Sequence, residues 1–349
     1  MATNDTPRRK PRPRTAEGGR RLHSAGSAIV VSLAGLLIAV LLNAPGLHKS
    51  AAIQPEGWKR DSALAVTGPL ESVSGALFLD SPRRALKAML GRSDDDAIDT
   101  AVVVAPTPEE PVIDETPAPP PKREKFSPNR KLRLWIAGDS LVVVPGESLL
   151  RAAAENRAIA SVGKIDGRIA SGLERPDVFN WFTHVRDEMQ SRKPRAVVLM
   201  FGGNDDHGFM TGLPEGKGIG SFGSPSWRAE YRRRVAGIMD AVTRRGAFLV
   251  WIGLPISRDA AQTQRYDTIN AIVQTETAKR PGRASYLDTY FFFAGEDGGY
   301  SQYIADDTGR LVKMRADDGV HFERPAGDLI AEKVLERLEE RYDITGWRR

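Results

Sequence analysis

The residues best placed to do chemistry are Ser140, Asp318 and His321, with Asn204 between them in the chain. Ser140 closes Gly138-Asp139-Ser140, directly after the apolar run Leu132 to Ala137, so it sits where a strand would end in a tight turn. A serine hydroxyl is a weak nucleophile until a base takes its proton and a cradle of donors receives the oxyanion. Asp318 and His321 are three residues apart, which lets a carboxylate hold one imidazole nitrogen while the other faces the serine. Asn204, in Phe201-Gly202-Gly203-Asn204, carries a neutral amide NH2 suited to an oxyanion, and Gly172 offers a backbone N–H, with Gly167 as its rival. The chemistry implied is acyl transfer through a covalent serine ester.

Such residues need a scaffold that gathers loops at one edge. The runs 132–137, 196–201, 247–252 and 284–287, with a weaker one near 159–165, read as strands, and nearly unbroken apolar character marks them as buried on both faces. Amphipathic helices alternate with them: Trp227, Tyr231, Val235, Ile238 and Val242 form one stripe, and Leu329, Ile330, Val334, Leu335, Leu338 and Tyr342 form another that opens at Pro325. Alternation of this kind predicts a central parallel sheet covered by helices, with sites at the C-terminal strand ends.

Ser140, Gly172, Asn204 and Asp318/His321, in that order and with a literal Gly-Asp-Ser-Leu at 138–141, resemble the SGNH (GDSL-type) hydrolase superfamily over about residues 130 to 345. That resemblance implies a flavodoxin-like three-layer α/β/α fold and ester hydrolysis or acyl transfer. It assigns Ser140 as nucleophile, His321 as base and Asp318 as its orienting acid, with the Ser140 amide, Gly172 and Asn204 as oxyanion donors. No cofactor or metal is implied. The superfamily includes envelope enzymes that remove or add O-acetyl groups on glycans, and the expected substrate here is an acyl ester, with O-acetyl on a cell-envelope glycan as the expected case. The alternatives are an O-acyltransferase using the same acyl-enzyme and a non-catalytic envelope scaffold.

Residues outside the four blocks have blander expectations. Asp139 orders the turn or contacts substrate, and His207 is a candidate substrate contact. His184 is expected on a helix around 177–190 in a solvent or core role. Adjacent carboxylates such as Asp205 and Asp206 usually point apart, which argues against a metal. The glycine-rich segment 212–223 lacks a phosphate loop's ending and suggests a lid, whereas Arg232 to Arg234 suggests a solvated face. Trp181, Phe182, Phe209, Trp227 and Tyr300 either fill the core or stack on a sugar.

The chain also carries a long N-terminal extension. Of the net charge of +5, all resides in residues 1–23, which hold seven Lys/Arg against Asp5 and Glu17; the remaining 326 residues hold 43 of each sign. Nucleic-acid binding is therefore not expected. The absence of cysteine excludes disulfides and thiolate chemistry. Residues 24–42 form 19 uncharged residues, matching a bilayer core of about 30 Å. They predict an uncleaved transmembrane anchor, with a cleaved signal as the other reading. The basic residues before it place the N-terminus inside and the rest outside the cytoplasmic membrane. The expected organisation is a disordered basic tail (1–23), an anchor (24–42), a membrane-proximal helical segment (43–92), a Pro/acidic linker (93–130) and a catalytic domain (131–349).

Overall fold

A computed structural model describes residues 25–52, 58–79, 123–206, 209–214 and 218–348, together with 81, 85, 89 and 98. The expected tail and almost all of the expected linker lie outside these residues. So does most of the second helical pattern of the membrane-proximal segment.

Among the described residues, three helices precede the main domain: α1 (Ala25–Leu42), α2 (Ala44–Ala52) and α3 (Trp58–Ala76). α1 is apolar all round and exposes Ile29, Val30, Leu33, Leu36 and Leu37. Among the described residues no single helix is long and apolar enough to cross a membrane; Gly26–Leu42 and Ala44–Ala52, bent by 65°, meet that length and composition together. α3 carries the expected Leu70 and Val73, and Leu77 falls just past its end.

The main domain is built on six parallel-paired strands: β2 (Leu132–Gly138), β3 (Ile159–Ser161), β4 (Asp166–Gly167), β5 (Ala196–Met200), β6 (Phe248–Ile252) and β7 (Ala284–Leu287). Their order is β3-β2-β5-β6-β7, with β4 continuing alongside the end of β2. This is the flavodoxin-like order that the resemblance implied, with the chain reversing direction beside β2, where sites in such sheets form. β5 and β6 are buried at every position, so helices must cover both faces. Of the weak run near 159–165 only Ile159–Ser161 forms a strand; β4 begins beyond it at Asp166.

The helices are α4 (Val143–Ala154), α5 (Trp181–Ser191), α6 (Pro225–Thr243), α7 (Ala260–Ala278) and α8 (Arg324–Arg341). α4 packs against α8, while α5, α6 and α7 pack in succession, which gives the two outer layers. Their starts follow local chemistry: Asn180 accepts from the N–H groups of Phe182 and Thr183, Ser224 caps Trp227 before Pro225, and Asp259 caps Ala261.

Two boundaries differ from expectation. Tyr342, expected on the last helix, lies just beyond it in β10 (Tyr342–Asp343), which pairs with β1 (Glu124–Lys125). Phe126 packs edge-on against Tyr342 at 5.3 Å, so residues 124–126, expected in the linker, are tied to the domain. A hairpin, β8 (Tyr303–Ala305) with β9 (Leu311–Lys313), precedes the segment that holds Asp318 and His321.

Candidate active site

β2 delivers Ser140 to the C-terminal edge of the sheet. A side chain on Gly138 would meet the Met200 carbonyl oxygen at 2.1 Å, so only glycine lets β2 end this close to β5. Asp139 then caps a short 3-10 turn, Ser140–Val142, that feeds α4. Ser140 is the first residue of that turn, and its N–H has no acceptor among the described residues. Helix N-termini favour developing negative charge.

Asp139 is fully buried. Its carboxylate accepts from Leu141 N at 2.8 Å, Gly202 N at 3.0 Å and Gly203 N at 2.8 Å. The expectation that Asp139 contacts substrate is therefore corrected: it cannot reach a ligand, and it ties the serine turn to the loop that bears Asn204. Burial pushes its carboxyl up to about 7, although the three N–H groups pull the other way.

On the other side of the serine, His321 Nε2 lies 2.8 Å from Ser140 Oγ, and its Nδ1 lies 2.7 Å from Asp318 Oδ2. The other oxygen of Asp318 accepts from Val320 N at 2.8 Å and His321 N at 2.9 Å. Burial opposes the charge on Asp318, but these backbone donors and the imidazole outweigh it and hold the carboxyl at about 2. The serine, imidazole and carboxylate thus form one continuous hydrogen-bonded chain, with Ser140 and His321 181 residues apart in sequence.

The side of the site that bears Asn204 and Gly172 is assembled by a buried network that sequence reasoning missed. Asp205 accepts from Leu173 N at 2.9 Å, Glu174 N at 3.0 Å and Tyr231 OH at 2.9 Å, while Asn204 Nδ2 donates to the Ser171 carbonyl at 2.9 Å. Together they pin residues 171–174 beside Asn204. The Gly172 N–H has no acceptor among the described residues, and a Cβ there would meet Asp205 Oδ1 at 2.0 Å. Gly167 is placed differently, within β4 and in register with Gly138.

Arg234 corrects a second expectation. Placed on a solvated face with Arg232 and Arg233, it is instead 1% exposed. Its guanidinium donates to the carbonyls of Leu173 at 2.7 Å and Thr211 at 2.6 Å and pairs with Glu230. Arg232 and Arg233 do keep partial exposure. Through Thr211, Arg234 also fixes the start of the segment expected as a lid, within which Ile219 is buried.

His207 lies outside the described residues. His184 bonds Asp166 at 2.5 Å among Trp135, Phe179 and Trp181. Trp181, Phe182 and Trp227 belong to the core rather than to a sugar platform, whereas Phe209 stacks with Arg175 and Tyr300 with Arg258. Among the described residues no cluster of three or more His, Asp or Glu side chains could hold a metal ion; Asp205 and Asp206 diverge, the first to backbone donors and the second to Arg265 at 2.8 Å.

The fold and these contacts define a parallel α/β domain with a Ser–His–Asp chain at its topological switch point. Residues 133–337 match the model of the family described as protein of unknown function DUF459, and the chain belongs to that family. Comparison with curated proteins gives no match. The chain is similar to several solved structures of low identity. The C-terminal catalytic domain of peptidoglycan O-acetyltransferase A from Streptococcus pneumoniae is 12% identical, with 62% of this chain and 94% of that one covered and a TM-score of 0.37. An acetylxylan esterase from Geobacillus stearothermophilus is 14% identical over 60% and 94%, with a TM-score of 0.38. A GDSL-like lipase from Bacteroides thetaiotaomicron is 13% identical over 61% and 90%, with a TM-score of 0.39.

Proposed function

We propose that this protein is a serine esterase that hydrolyses acyl esters, with O-acetyl groups on cell-envelope glycans as its substrate class. The observation that carries this reading is the unbroken chain Ser140 Oγ, His321 Nε2, His321 Nδ1, Asp318 Oδ2, with links of 2.8 and 2.7 Å. Ser140 Oγ attacks the ester carbonyl carbon as His321 Nε2 takes its proton, and Asp318 supports the resulting imidazolium. The N–H groups of Ser140 and Gly172 and the amide of Asn204 receive the oxyanion. The carbon–oxygen bond to the alcohol then breaks, and His321 returns the proton to the departing alcohol. Water repeats the sequence on the acyl-serine, releasing the acid and restoring Ser140.

The side chains of His321 and Asp318 are 41% and 50% exposed, an openness that favours water over a glycan hydroxyl as acceptor. The extracytoplasmic setting is part of the proposal: α1 and α2 together have the length and apolar composition of a bent membrane span, and the basic residues of 1–23 would lie on its inner side. The test incubates the full-length protein with an O-acetylated glycan, with and without a free glycan acceptor. Acetate release that is unchanged by acceptor supports the esterase; acetylated acceptor formed at the expense of acetate makes the protein a transferase. Absence of both products overturns the reading.

A further inference from the structure

Arg315 is fully buried, and among the described residues no carboxylate lies within ion-pair distance of it. Buried charges are ordinarily matched by an opposite charge, because leaving water is costly. This guanidinium is matched by carbonyl oxygens instead. Nη1 donates to Ile256 O at 2.6 Å, Nη2 to Val320 O at 2.6 Å and Gly319 O at 3.4 Å, and Nε to His321 O at 3.3 Å. Three of its four acceptors belong to the turn that carries His321. The fourth, Ile256, follows β6, so the guanidinium bridges that turn to the loop leaving the sheet.

The faces of the fork are covered as well. Phe293, Tyr300 and Phe322 lie 5.5, 5.4 and 5.1 Å from its central carbon, an arrangement in which ring faces partly substitute for a counter-ion. Burial nonetheless pulls its pKa down to about 10, so it stays charged at neutral pH. The turn itself is closed by Ala316 N donating to His321 O at 2.9 Å and Gly319 N to Ala316 O at 3.0 Å. His321 O is therefore gripped from two sides while its side chain faces Ser140.

We propose that Arg315 is a positioning residue: it sets the distance and direction of the His321 imidazole relative to Ser140 by holding the main chain of 319–321 against Ile256 in the loop that follows β6. The proposal rests on the esterase reading for its kinetic consequence, not for its structural one. A lysine retains the charge but not the planar fork, and it cannot bond Ile256 and the 319–321 carbonyls together in one plane.

The experiment compares full-length wild type, Arg315→Met and Arg315→Lys by p-nitrophenyl acetate kinetics and by amide hydrogen exchange. A displacement of His321 by about 1 Å costs roughly 100-fold in rate, so Arg315→Met is expected to lose about that much kcat with KM within twofold. Arg315→Lys is expected to recover part of it. Exchange should accelerate at 316–321 while the amides of α8 keep their protection. A folded Arg315→Met with wild-type kcat, or with acceleration spread evenly over the domain, overturns the proposal. Should Arg315→Met not fold, wild-type kcat in Arg315→Lys overturns it equally. If the wild type itself turns over no ester, the function proposed above fails, and the exchange comparison still decides the role of Arg315.

Discussion

Replacing Gly172 with alanine probes the oxyanion side with a single methyl group. The new Cβ would lie 2.0 Å from Asp205 Oδ1, short of ordinary contact at 3.4 Å by about 1.4 Å. Asp205 cannot yield cheaply, because it is buried and tied to Leu173, Glu174 and Tyr231. The 171–174 loop must move instead, carrying the Gly172 N–H with it. Losing one preorganised oxyanion donor costs about 10²–10³ in kcat, or roughly 2.7–4 kcal/mol of transition-state stabilisation. Ground-state binding of a neutral ester barely uses that donor, so KM should change less than threefold. Steady-state p-nitrophenyl acetate hydrolysis by the full-length variant measures both parameters, and circular dichroism confirms folding. A folded Gly172→Ala with kcat within threefold of wild type would refute the assignment of this N–H to the oxyanion.

Two further predictions concern the carboxylates on either side of Ser140. Asp318 is depressed to about 2, so it remains ionised, and its contribution to the folded state remains in place, down to about pH 4; both are lost only as pH falls from there through 2. The acid limb of kcat/KM should accordingly fall with a slope of one, and a slope of two above pH 4 would contradict this. Asp139 is raised to about 7 against an unfolded value near 3.9, so the native state takes up its proton first as pH falls. Relative to Asp139→Asn, wild-type stability should be greater at pH 5 than at pH 7.5, by about 2.5 kcal/mol; urea midpoints that differ equally at both pH values would contradict it.

What the sequence disclosed followed physical pattern. β5 and β6 read as buried strands because every residue in Ala196–Met200 and Phe248–Ile252 is apolar and every one is covered. The four motif blocks announced a shared edge because each follows a strand end or precedes a helix start. α7 was not marked by periodicity, because its buried positions include Thr263, Glu276 and Thr277, which blur the stripe. The two-residue strands β1 and β10 have too few residues to alternate. Asp205, Arg234 and Arg315 escaped for a shared reason: charged side chains are expected in water, and each is buried by backbone partners that come from distant segments. Only the tertiary arrangement supplies those partners. The sole hint was that Asp205 directly follows the Asn204 block.

The central claim is that Ser140 is a nucleophile activated by His321. Intact-mass spectrometry of the folded full-length protein after treatment with a fluorophosphonate tests it most directly, with peptide mapping to locate the adduct. The expected result is one adduct per chain, on Ser140, absent from Ser140→Ala and slowed at least about 100-fold in His321→Ala. An unlabelled wild type, or labelling that persists at the wild-type rate in Ser140→Ala, would contradict it.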